Sequence, residues 1–202
     1  MRSDRDRLVG ALAMAIGVVG IVSVVSLAVF FAVGGPFGSI NDWTIGIVGG
    51  LTAALCLLVP GSVIGRSIPG GMAATGLGVA GAVIVMIGAA LVITATTGFL
   101  LAGLVESVGF ALVGAWLVAV ARSMRRDAVP TAGGLAILGQ VAGWLMAIGI
   151  FALPGVILRL DDLETAPWWV WVAFVGWLGI FVAYPAWCLW TGRTLRRAGT
   201  SA

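Results

Sequence analysis

Residues 72–121 read MAATGLGVAGAVIVMIGAALVITATTGFLLAGLVESVGFALVGAWLVAVA, and Glu106 is the only charged residue among them. As one straight helix this stretch would run about 75 Å, more than twice the hydrocarbon thickness of a bilayer. The chain must turn inside it, and Thr96-Thr97-Gly98 is the natural place. Two membrane spans follow, Met72 to about Thr94 and about Leu100 to Ala121, the second closed by Arg122.

The same criterion of about 20 apolar residues extends outward to four more spans. Leu8 to Val33 ends at the Gly34-Gly35-Pro36 turn. Trp43 to Gly65 is closed by Arg66, and Leu135 to Leu158 by Arg159. Trp168 to Thr191 is followed by the tail Gly192 to Ala202. The first apolar run exceeds the 7–15 residues of a signal-peptide core, so it is expected to be a retained span.

Composition agrees. Of 202 residues 61% are hydrophobic and 9% charged, against about 25% charged in a soluble domain. A soluble fold has no interior large enough for that apolar surface. A soluble enzyme, a disordered chain and a nucleic-acid binder are excluded. The fold class expected is all-α: a polytopic six-transmembrane-helix bundle forming a single domain over residues 1–202.

Charge placement sets the expected orientation. All eleven basic residues are arginine. With six spans, Arg2, Arg5, Arg7, Arg66, Arg122, Arg125, Arg126, Arg193, Arg196 and Arg197 fall on one side of the membrane, and Arg159 alone falls on the other. The arginine-rich side is the cytoplasmic one. Both termini are therefore expected in the cytoplasm, in the inner membrane of a cell, with Asp42, Asp161, Asp162 and Glu164 in outer loops.

Chemistry is sparse. The chain has no histidine, which removes His-ligated haem, His-based zinc or copper and Ser-His-Asp catalysis. Cys56 and Cys188 lie inside apolar segments and read as small buried hydrophobes. No paired-acid metal motif, phosphate loop or polybasic lipid-phosphate motif occurs. No cofactor and no enzymatic activity are expected.

Packing faces are legible. Helices in lipid associate through close contact of small residues. Gly10, Ala13, Gly17 and Gly20 share one face of span one. Gly46, Gly49, Ala53, Cys56 and Pro60 repeat that spacing in span two, and Ala74, Gly78, Gly81, Val85 and Gly88 in span three. These faces predict a tight bundle of spans one to three. Span six holds Trp168, Trp169 and Trp171 at its outer end and Trp187 and Trp190 at its inner end, the pattern of an aromatic belt; Trp177 lies near mid-membrane. Tyr184-Pro185 predicts a kink. The Pro60-Gly61 and Pro154-Gly155 pairs sit in the middle spans of the two three-span halves. Such pairing is a pointer to inverted repeats, although Pro-Gly is also ordinary helix-end punctuation.

Glu106 is the residue that asks for a function. A charge at the centre of a span costs about 2.5–3.5 kcal/mol on insertion scales. Thr94, Thr96, Thr97 and Ser107 lie near it in depth, with Arg159 and Trp43 at the same membrane face. Together they predict a small polar pocket open to the outside. Within it Glu106 has three readings: a structural hydrogen-bonding group, neutral or paired with Arg159; a binder of a cation, proton or amine-bearing solute; or a docking point for a partner helix. Gln140, deeper in span five, is expected to bridge two helices.

The string Tyr184-Pro185-Ala186-Trp187-Cys188-Leu189-Trp190-Thr191-Gly192-Arg193 is similar to the endings of uncharacterised bacterial six-span proteins of this length. The likeness covers the last third of the chain, implies six spans and brings no established activity. Ala11 and Ala15 form an Ala-x-x-x-Ala that resembles the docking motif of vitamin-uptake S-components. The expected function is a non-enzymatic accessory or structural membrane component acting through helix contacts. Its expected partners are the lipid bilayer, other membrane subunits or a second copy of the chain. The alternative is a small-solute carrier or substrate-binding component, with Glu106, Ser107, Thr94, Thr97 and Arg159 at its site.

Overall fold

The computed structural model describes residues 2–127 and 132–198. Met1, part of the loop after span four and the last residues of the predicted tail fall outside them. Six helices are long and apolar enough to cross a membrane: α1 (Arg2–Val33), α2 (Phe37–Leu58), α3 (Gly71–Ile93), α4 (Phe99–Arg126), α5 (Gly133–Ile157) and α6 (Trp168–Arg197). There is no strand among the described residues.

Each helix packs on its neighbours in sequence, and α6 returns to α1, so the six close into a ring. The start of α1 lies on the end of α6: a Cβ built on Gly192 would stand 2.8 Å from the carbonyl oxygen of Gly10. The first turns of α1 and the last turns of α6 therefore share one face of the bundle, called the terminal face below. α4 is the most enclosed span, with 67% of its apolar window buried against 33% for α1 and α3.

Glycines set the closest approaches around α4. A Cβ on Gly81 of α3 would lie 2.5 Å from the carbonyl oxygen of Gly109, and one on Gly109 would lie 2.7 Å from that of Gly81. Gly114 of α4 and Gly143 of α5 face each other the same way, at 2.6 Å in both directions. Any side chain here would push two backbones apart, which forfeits the dispersion contacts that hold helices together in lipid.

The small faces are where the sequence puts them, but one of them has a different partner. The face of α3 packs on α4, and that of α2 packs on α3 through Gly49 against Met86 and Ala82. The face of α1 turns instead to α6, with Gly17 against Leu189 and Gly20 against Pro185. The tight bundle of spans one to three is thus corrected to a ring. The winding of α6 changes beside Tyr184-Pro185. Pro185 has no N–H to donate and its ring crowds the carbonyl four residues back. α6 meets this with a wide π turn at Gly179–Ala183, just upstream. Of the two Pro-Gly pairs, one ends α2 near Pro60, while α5 continues past the other through a 3-10 turn at Ile148–Ala152 into Leu153–Ile157.

Polar groups fasten the terminal face. Arg5 Nε donates to the carbonyl of Leu58 at 2.9 Å, and the Val63 N–H donates to Asp6 at 2.9 Å. The Ser67 N–H donates to Ser123 Oγ at 3.1 Å, and Ser67 Oγ donates to Asp127 at 2.7 Å. These bonds give the α2–α3 connection partners in α1 and α4. On the α4–α5 pair Arg125 donates to Gln140 at 3.0 Å, so Gln140 bridges two helices.

The belt reading is corrected at one position. Trp168, Trp171 and Trp190 are exposed, as interface anchors are, but Trp187 is fully buried and stacks on Tyr184 with centroids 6.3 Å apart. It is core. Both cysteines are buried free thiols.

Candidate functional site

α2 begins six residues earlier than the sequence suggests. Pro36 stands at its N-cap, where a missing N–H costs nothing, and Phe37 opens the helix. Asn41 and Asp42 are consequently helical residues of the span, and Asp42 is not in an outer loop. This shift creates the site.

Asp42 and Glu106 line one cavity. It lies in the half of the bundle away from the terminal face. Its volume is about 20 Å³, enough for one water-sized species. α4 supplies Phe99, Gly103, Glu106, Ser107 and Phe110, which recur at helical spacing along one face. α2 adds Asn41 and Asp42, and α6 adds Trp177, Ile180 and Phe181 from the turns around its π segment. Glu106 lies two turns into α4, about 10 Å from its start. Gly88 of α3 makes room for it, since a Cβ there would stand 2.6 Å from Glu106 Cγ.

The polar groups are held by their neighbours. Ser23 Oγ of α1 donates to Asn41 Oδ1 at 2.8 Å, and Asn41 Nδ2 reaches Asp42 Oδ1 at 3.5 Å. Trp177 Nε1 donates to Ser107 Oγ at 3.2 Å, and Ser107 Oγ donates to the Gly103 carbonyl at 2.7 Å. Ser107 therefore sets the height of the Trp177 indole. That ring packs against Phe174 at 4.4 Å, Phe181 at 5.7 Å and Phe99 at 6.5 Å between centroids.

Of the residues singled out from sequence, Glu106 and Ser107 line the cavity; Thr94, Thr97 and Arg159 do not. Thr94 is exposed at the end of α3. Its hydroxyl returns to the Ala90 carbonyl at 2.8 Å and meets Thr96 Oγ1 at 2.8 Å, which finishes the helix. The Thr97 hydroxyl is buried with no hydrogen-bond partner. Arg159 is exposed at the end of α5 with φ 53°, a left-handed C-terminal turn, so its pairing with Glu106 is not formed. The acid that does work in this loop is Asp161. It accepts from the N–H groups of Gly98 at 2.6 Å and Leu101 at 3.1 Å, capping α4 from the loop that follows the adjacent α5.

Asn41, Asp42, Phe99 and Phe181 are the site residues that sequence reasoning passed over. The signal for Asp42 was present in Gly34-Gly35-Pro36, which permits a helix to start at the next residue. Among the described residues no group of three His, Cys, Asp or Glu side chains is placed to hold a metal ion. Two carboxylates, an amide and a hydroxyl among aromatic rings make an environment that favours a cation. Charge attraction is strong in low-dielectric surroundings, and ring faces attract cations.

No family model, curated protein or solved structure matches the chain.

Proposed function

We propose that this chain is a non-enzymatic multi-pass membrane component that binds a small cation in the Asp42–Glu106 cavity, as part of a small-solute carrier or substrate-binding unit. The observation that carries the reading is that two acidic residues, Asp42 of α2 and Glu106 of α4, line one water-sized cavity. Keeping two negative charges in a membrane interior is costly, and a proton or a cation shared between them removes that cost. The cavity size selects ions of the dimensions of sodium, potassium or ammonium. A larger amine would need the aromatic wall of α6 to move.

We place both termini in the cytoplasm of an inner-membrane protein. The support is the ten-to-one division of arginines between alternate ends of the six spans, with the arginine-rich side cytoplasmic. In that orientation the cavity lies in the outer half of the membrane.

The test is thermal unfolding of the purified protein in nanodiscs, at constant ionic strength made up with a bulky organic cation. A ligand that binds only the folded state raises the midpoint as its concentration passes the dissociation constant. One small cation should raise it saturably, and Glu106→Gln should abolish the effect while leaving the protein folded. If no cation moves the wild-type midpoint, the reading gives way to the accessory role, in which Glu106 serves helix packing.

A further inference from the structure

A second concavity lies on the opposite half of the bundle, between α2 and α3. It is about 820 Å³, forty times the acidic cavity in volume. Arg66 stands at its mouth, on the terminal face, and its walls descend along Leu57, Met72 and Val79. Met72 is 93% exposed. The α2–α3 connection that frames the mouth is held by Arg5, Asp6 and Ser123 through the bonds described above, so the groove has a fixed rim. Thr75, one turn below the start of α3, also lines the groove.

We propose that this groove is a binding site for an anionic phospholipid. The charge order matches the ligand. A guanidinium at the mouth suits the lipid phosphate, and the apolar walls along Leu57 and Val79 suit the acyl chains. Guanidinium is the side chain best suited to phosphate oxygens. A soluble anion would use the arginine and leave the apolar walls empty, and a peptide would find few polar partners along them.

Gly76 gives a clean way to close the slot. It lines the groove, and a Cβ built on it meets nothing within 4 Å, so the side chain of Gly76→Leu starts in open space and narrows the groove. The experiment is native mass spectrometry of delipidated protein offered equal amounts of phosphatidylglycerol and phosphatidylcholine. Wild type should retain phosphatidylglycerol preferentially. Arg66→Gln should reduce that preference about fivefold, the effect of one basic residue near an anionic headgroup. Gly76→Leu should lower retention of the lipid. Arg193→Gln, on another basic patch of the same face, should change neither. Unaltered retention in both groove variants would overturn the site. Equal loss with Arg193→Gln would reduce it to general surface charge. Displacement of the lipid by inorganic phosphate alone would make it a soluble-anion site instead.

Discussion

Gly88 of α3 lies directly over Glu106 of α4: a Cβ on Gly88 would stand 2.6 Å from Glu106 Cγ and 3.1 Å from the Ala102 carbonyl oxygen. The small-residue face of α3 thus does two things at once. It brings α3 against α4, and at its last position it leaves space for the one acid of the longest apolar stretch.

That relationship predicts the behaviour of Gly88→Ala. The added methyl must displace either the Glu106 side chain or the α4 backbone, an overpacking cost of about 1–3 kcal/mol. The unfolding midpoint should fall, and cation-dependent stabilisation should weaken with it. A variant as stable as wild type would mean that α3 and α4 are less closely packed than described.

Asp161 links the α5–α6 loop to the start of α4. Asp161→Ala removes the acceptor for Gly98 and Leu101 and should cost about 1 kcal/mol, in the range of a lost N-cap. Hydrogen exchange at Gly98 and Leu101 should accelerate selectively. Exchange that stays unchanged at those two amides would show that the cap is not formed.

Arg159 and Ala95 both end helices in left-handed conformations, with φ 53° and 52°. A residue with a Cβ is penalised there by about 1–2 kcal/mol. Arg159→Gly and Ala95→Gly should each raise the unfolding midpoint, less the entropy a glycine adds to the unfolded chain. The arginine change separates two accounts. Were Arg159 an ion-pair partner of Glu106, its removal would destabilise the protein.

Ser107→Ala takes away the acceptor of the Trp177 indole. Loss of a bond of this kind costs about 1 kcal/mol. The ring should reorient within the cavity wall, shifting tryptophan fluorescence in Ser107→Ala but not in a Ser107→Ala, Trp177→Phe double variant. Equal shifts in both would place the effect on another tryptophan.

Much of the fold could be read from residue patterns, because membrane spans obey length and hydropathy rules that need no tertiary information. The Thr96-Thr97-Gly98 turn had to exist, since no bilayer accommodates the uninterrupted helix. The small faces could be read as faces for the same reason. Their partners could not: Gly17 meets Leu189, a residue far away in sequence, and periodicity records which side of a helix is small but not what covers it. Trp187 illustrates the same gap. A tryptophan near a span end suits an interface, and only the ring closure of α6 on its neighbours makes it core. At the site, Glu106 stood out because a lone charge in a span is conspicuous. Asp42 did not, because it sat beside a turn where acids are common, and a shift of the α2 start by a turn and a half moved it from loop to cavity.

A cation bound in the cavity would meet the Glu106 carboxylate beside Asp42. Infrared difference spectroscopy reads that contact most directly, by recording the protein in nanodiscs with and without the small cation that stabilises it. A cation-induced change is expected in the carboxyl stretching region, lost in Glu106→Gln and altered in Asp42→Asn. A difference spectrum with no carboxyl feature, or one that survives unchanged in both variants, would contradict it.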